Sequence, residues 1–147
     1  MKKIDKPQLE RLSQFRYQLR RFLRFSEDVS QEAGLTVLQY QLLLHTQGMP
    51  GREWASIGEL AERLQAKPHG VVALVTRCED AGLVTRRNNK DDGRLVEVHL
   101  TVSGHKSLQQ VALRHQLALA ELAQMIEQAS AEYQAVLGQQ SAPGCRH

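Results

Sequence analysis

The run Leu83-Val-Thr-Arg-Arg-Asn-Asn-Lys-Asp-Asp-Gly-Arg-Leu-Val-Glu-Val-His-Leu100 decides the fold. Its two ends, residues 83–87 and 95–100, are rich in β-branched and apolar residues. The middle, 88–93, is almost pure turn chemistry, in which Asn, Asp and Gly tolerate the backbone angles of a tight reversal. The expectation is a β-hairpin with an exposed tip. Arg86, Arg87, Lys90 and Arg94 give that hairpin four cations, set against Asp91, Asp92 and, near its base, Glu97. The Asp92 carboxylate, two residues before Arg94, is suited to holding that arginine in one conformation.

Upstream, the punctuation implies a helix, a short turn and a second helix. Residues 56–57 read as a short extended piece, and Gly58 as the cap of a helix over 59–65 with Leu60, Ala61 and Leu64 inward. After a turn at Ala66-Lys67, Pro68 sits where a first helical turn accepts proline. Val71, Val72, Leu74, Val75 and Cys78 carry the pattern on to Gly82. Farther out, Leu9, Leu12, Phe15, Leu19, Phe22 and Leu23 recur at three- and four-residue steps, predicting a long amphipathic helix over 6–32 that Gly34 ends. Thr36 with Gln39 has the form of a capping box for a helix through His45, with Leu38, Leu42 and Leu43 as its buried side. Gly48, Pro50 and Gly51 break the chain before Trp54. Thr101 opens a final long helix to about residue 128, followed by a short helix at 132–137 and a tail.

The fold class expected is therefore mainly α with a small β-hairpin (α+β): a winged helix-turn-helix between long N- and C-terminal helices. Residues 1–35 and 102–147 supply the flanking helices, and 36–101 the winged portion. Such a pair of surfaces fits a duplex, since a helix can enter the ~12 Å major groove while the hairpin tip reaches the backbone or the neighbouring minor groove.

The run from Asp92 to Thr101, Asp-Gly-Arg-Leu-Val-Glu-Val-His-Leu-Thr, resembles the D-x-R-x-x-x-V-x-L-T signature of the MarR family of bacterial transcriptional regulators. Ser103-Gly104 fits its continuation, and two upstream blocks, 58–64 and 79–84, also match at the expected separations. The resemblance implies a homodimeric repressor or activator on an inverted-repeat, double-stranded DNA operator. It further implies dimerisation through the first and last helices and a small aromatic or anionic effector. Where many members place Ser, Thr or Arg at the start of the DNA-reading helix, this chain has Lys67-Pro68-His69-Gly70. Base readout then falls to Lys67 and His69, to backbone approach at Gly70, and to Thr76 and Arg77. By analogy with family pockets, Arg16 and Arg20, on one face with Arg24, form with His45 a candidate effector site; a solvated helix face is the plainer reading.

Composition sets the remaining bounds. The chain has 147 residues, 41% hydrophobic and 24% charged, with a formal net charge of +3. That suits one soluble domain and excludes a large multidomain enzyme. No apolar stretch approaches the ~20 residues of a membrane span and no secretory h-region opens the chain, so a cytoplasmic location is expected. Residues 36–101 are electrically neutral, so placement of charge, and not its sum, carries the DNA-binding argument. Cys78 and Cys145 lie far apart. Cys78, in register with Val71, Leu74 and Val75, is expected inside, although Arg77 beside it also suits a redox sensor. His105 and His115, ten residues apart, lie ~15 Å apart along a helix and cannot share one ion, so no metal is expected. No nucleophile elbow or phosphate-cradling glycine loop is present, so catalysis and a cofactor are not expected. The competing reading is a winged-helix adaptor that binds protein without specific DNA.

Overall fold

A computed structural model describes residues 3–140, with side chains through Gly138. The element order is α1 (Lys6–Glu32), α2 (Val37–Gln47), β1 (Trp54–Ser56), α3 (Ile57–Leu64), α4 (Pro68–Asp80), β2 (Val84–Asn88), β3 (Val96–Leu100) and α5 (Val102–Gln140). The described residues divide into two compact units, one of residues 26–114 and one that holds the outer parts of the two long helices, up to residue 25 and from residue 115 on.

In the 26–114 unit, local chemistry starts and stops the helices. Gly34 takes φ +77°, a left-handed position that costs a glycine little, and terminates α1 where expected. Thr36 Oγ1 accepts from Gln39 N at 3.1 Å while Gln39 Oε1 accepts from Thr36 N at 3.0 Å, so the capping box satisfies two amides at the start of α2. A second capping box opens α3, and here the structure corrects the sequence reading. The cap is Ser56, whose hydroxyl accepts from Glu59 N at 3.2 Å, and Gly58 lies inside the helix. The face of α2 also differs from expectation. Leu42 and Leu43 are fully buried, but Leu38 is 52% exposed, and Tyr40 and Thr46 take the remaining inward positions.

The hairpin forms, with β2 one residue later than the sequence suggested and β3 starting one residue later but ending at Leu100 as expected, and it gains a third strand. β1 pairs antiparallel with β3 through Trp54↔His99 and Ser56↔Glu97, giving the order β1-β3-β2. The residues expected as a short extended piece at 56–57 are thus the end of a strand and the first turn of a helix. Leu42, Leu43, Ala55, Leu60, Val71, Val75, Cys78, Val98 and Val111 are fully buried, so the helices and sheet share one core. Each buried branched aliphatic contributes roughly 1.5–3 kcal/mol from water exclusion.

The other unit holds the outer stretches of α1 and α5. His115 is 2% exposed, with the Phe22 and Phe25 rings edge-on to it at 6.0 and 5.7 Å between centroids. A groove of about 360 Å³ lies between the two helices and is lined by Phe15, Met125 and Tyr133. Arg11 and Glu132 pair across it at 4.0 Å. α5 continues unbroken through Gln140, which replaces the expected break after 128 and the separate short helix at 132–137. Nothing between 129 and 137 is a helix breaker, and alanines hold the helical path there. Among the described residues no helix is long and apolar enough to cross a membrane.

Candidate nucleic-acid interface

Two features of the 26–114 unit make up the candidate interface: the outward face of α4 and the β2-β3 wing. α3 and α4 are joined by three residues, 65–67. Gln65 takes φ 49°, the one left-handed non-glycine among the described residues, and its Nε2 donates to Glu62 O at 2.7 Å to hold that geometry. Pro68 then opens α4 at a position where a missing amide costs nothing, and the Lys67 side chain makes no cap, so it is free to project.

Along α4, Val71, Leu74, Val75 and Cys78 are buried while His69, Val72, Ala73, Thr76 and Arg77 are exposed. The spacing 69, 72, 73, 76 is one helical stripe, and it faces away from the core. All the candidate readers on this helix, Lys67, His69, Gly70, Thr76 and Arg77, are exposed. Val72 is the residue the sequence missed: placed inward by its hydrophobicity, it is 44% exposed in the centre of the outward stripe. An aliphatic group there, beside Ala73, offers the apolar contact that a thymine methyl accepts. Gly70 has ordinary helical φ, and a Cβ added to it would meet nothing within 4 Å, so the fold itself does not require glycine.

The wing is organised by side chains on its own backbone. Asn89 Oδ1 accepts from Asp91 N at 3.0 Å and Asp92 N at 2.9 Å, and Asn89 Nδ2 donates to Glu97 Oε2 at 2.7 Å. Asp92 Oδ1 accepts from Arg94 N at 3.0 Å, so its carboxylate fixes the arginine through the main chain. Glu97 in turn bonds His99 at 2.8 Å. The His99 hydrogen bond, supported by Asn89 and by the charges of His99 and Arg87, holds the Glu97 carboxyl below the usual glutamate range. The Trp54 ring stacks on His99, and the Arg52 guanidinium lies 4.0 Å over Trp54 while pairing with Glu59. These contacts tie the wing turn to the sheet and the start of α3. Arg87, Lys90 and Arg94 remain exposed on it.

Arg86 is placed differently from its neighbours. It is half-buried, with its guanidinium bonded to Glu79, Val72 O and Thr76 Oγ1 on α4. The candidate effector residues do not form one cluster within either unit. Arg16 and Arg20 are exposed on α1, and His45 belongs to the other unit, where burial and then the Arg63 charge lower its pKa.

Cys78 is fully buried, and burial pushes its thiol up to about 11, with Arg77 opposing only in part. At pH 8 about one molecule in a thousand is then thiolate. In a Cys145→Ala background, which removes the cysteine that lies outside the described residues, Cys78 is expected to resist aromatic disulfide reagents until the protein unfolds. Labelling of the native protein at the rate of a free thiol would overturn this.

Residues 33–95 match the model of the MarR family, covering the helix-turn-helix and most of the wing. Over that segment, a little under half of the chain, this protein is similar to the MarR family. A curated relative, the HTH-type transcriptional repressor MdtR of Bacillus subtilis (strain 168), is 33% identical over 55 residues; that match takes in 37% of this chain and 36% of MdtR, so little over a third of the relative is represented. Among solved structures, the MarR family regulator AbsC of Streptomyces coelicolor is similar over 97% of this chain and 95% of its own, with a TM-score of 0.72 and 22% identity. Sco3205, another MarR family regulator of that organism, solved in complex with DNA, gives a TM-score of 0.71 at 18% identity over 99% and 95% of the two chains. At these identities the likeness is one of fold, and it extends through both long helices.

Proposed function

We propose that this chain is a homodimeric, double-stranded DNA-binding transcriptional regulator of the MarR type, a repressor, working in the cytoplasm on an inverted-repeat operator. The observation that carries the reading is the exposed stripe of α4 beside a wing that presents Arg87, Lys90 and Arg94 to solvent. A helix in the major groove supplies base contacts and the wing cations supply phosphate or minor-groove contacts. Gly70 supports it further. A glycine within a helix costs about 1 kcal/mol relative to alanine, and its lack of a side chain here admits close approach by an outside partner.

Repression is favoured by the function named for MdtR. Dimerisation is supported by the apolar side chains left exposed along the two long helices, among them Leu9, Leu12, Leu23, Leu113, Leu117 and Ile126. Two copies related by a two-fold axis would set their α4 helices about 34 Å apart, one turn of DNA. Regulation by a small aromatic or anionic ligand is the form the family resemblance implies; Arg16, Arg20 and His45 are the residues to test for it. No catalytic step is assigned.

The test is fluorescence anisotropy of the purified protein against a library of genomic duplex fragments, with the species present sized by sedimentation. A dimer that selects a few fragments is expected. With 6–10 phosphates neutralised, affinity should drop by about 10³- to 10⁵-fold between 50 and 200 mM salt. A monomer, or a dimer that selects no duplex, would end this reading in favour of a protein-binding adaptor.

A further inference from the structure

We infer that Arg86 is a positioning residue, a brace that sets the wing against the DNA-reading helix without itself touching DNA. The inference rests on the DNA-binding reading above. Its geometry comes from four bonds made by one residue. Arg86 N donates to Glu79 Oε2 at 3.2 Å, Nη1 donates to Glu79 Oε1 at 3.1 Å, and Nη2 donates to Val72 O at 3.1 Å and to Thr76 Oγ1 at 2.6 Å. Val72, Thr76 and Glu79 are spaced four and three residues apart, so they lie along one side of α4 over roughly 10 Å. Thr76 Oγ1 also donates to Val72 O at 3.0 Å, which orients its lone pair to accept from the guanidinium.

Each part of this arrangement answers a local need. β2 is an edge strand, paired only with β3, so its outward amides have no ladder partner. Glu79 takes the amide of Arg86, and Arg86 neutralises Glu79. The planar fork of arginine reaches a carboxylate, a carbonyl and a hydroxyl at once, which the point charge of lysine does not. Arg86 sits opposite Val98, whose side chain is fully buried, so one end of the brace is anchored in the core. The other end grips the helix at Val72 and Thr76, residues of the exposed stripe. A wing that swung about residues 84–85 would break all four bonds together. The direction in which Arg87, Lys90 and Arg94 meet a duplex is thereby tied to the direction of α4.

A brace and a phosphate contact differ in salt dependence. Arg86→Ala is expected to weaken binding to the selected duplex by about tenfold or more, with the slope of log affinity against log salt unchanged. A direct phosphate contact would lower that slope by about one per subunit. Arg86→Lys retains a charge for Glu79 and should recover part of the affinity. Glu79→Gln, which retains an acceptor for the Arg86 amide, should fall between wild type and Arg86→Ala. The melting temperatures of all three variants should stay close to wild type, because Arg86 and Glu79 are largely outside the core. The brace is overturned by a slope reduced in Arg86→Ala, by unchanged affinity, or by an affinity loss that follows a falling melting temperature. Hydrogen exchange separates its failure from that of the DNA-binding reading. The Arg86 amide should exchange slowly in the free protein and about tenfold or more faster in Glu79→Ala, whether or not any duplex is bound; equal exchange in the two proteins also overturns it.

Discussion

Gly104→Ala is expected to destabilise the protein by about 3 kcal/mol or more, a large part of the roughly 5–15 kcal/mol that holds a domain of this size together. Gly104 lies in the first turns of α5, and a Cβ at that position would stand 2.0 Å from Leu83 O and 3.0 Å from Leu83 C. Both are main-chain atoms, so no side-chain rotation relieves the overlap. The backbone there has little room to yield. Thr101 N donates to Leu83 O at 3.0 Å, Thr101 Oγ1 donates to Gly82 O at 2.6 Å, and Gly104 N donates to Thr101 Oγ1 at 3.0 Å. Those bonds staple the start of α5 to the residues that lead into the wing, and an added methyl drives the two apart. Urea denaturation checks the prediction, with Gly58→Ala as the control. Gly58 is helical, a Cβ there meets nothing within 4 Å, and the change should be neutral or stabilising by up to about 1 kcal/mol. A Gly104→Ala protein within 1 kcal/mol of wild type would show that the α5 start is free to move.

What the sequence makes legible follows from how far apart the interacting residues are. α1 runs Lys6–Glu32 as its apolar period and Gly34 imply, and the Thr36 and Gln39 box and Pro68 sit where local rules put them. Each of these is decided within four residues. β1 has only three residues, and its strand character exists because β3, more than forty residues later, pairs with it. No local signal marks that pairing. Gly58 obscured the real cap because Ser56 and Glu59 straddle it, and the box is seen only once spacing is weighed above residue type. Leu38 is exposed because α2 is apolar on most sides, so hydrophobicity alone selects no face. In the wing, composition counts Arg86, Arg87, Lys90 and Arg94 as four equal cations. The structure separates them, since the Arg86 partner is Glu79, seven residues back across the end of α4, while Lys90 and Arg94 sit on the turn beyond. Val72 went unread for the same reason as Leu38: an aliphatic in a helix next to the buried Val71 reads as core until the neighbouring elements are in place.

Replacing both Arg87 and Arg94 by alanine is expected to weaken operator binding by about 100- to 1000-fold at moderate salt, without loss of folding or self-association. In a dimer the double change removes four cations. If each meets a phosphate, the slope of log affinity against log salt should fall by roughly 3.6, at about 0.9 per phosphate on B-form DNA. The fold should survive because neither side chain holds it together. Arg94 contributes its backbone amide to Asp92, which alanine retains, and Glu97, opposite Arg87 in the ladder, keeps its bonds to His99 and Asn89. The wing turn therefore stays built while its charge is withdrawn. The single changes locate the contribution: phosphate contacts lower affinity for all duplexes alike, whereas an arginine inserted in a narrow minor groove lowers it most for sites with A·T-rich flanks. Anisotropy titrations of the double variant at several salt concentrations, beside sedimentation of the free protein, decide the matter. A variant that binds the selected duplex as wild type does, with the same slope, would remove the wing from recognition and leave α4 alone to carry it.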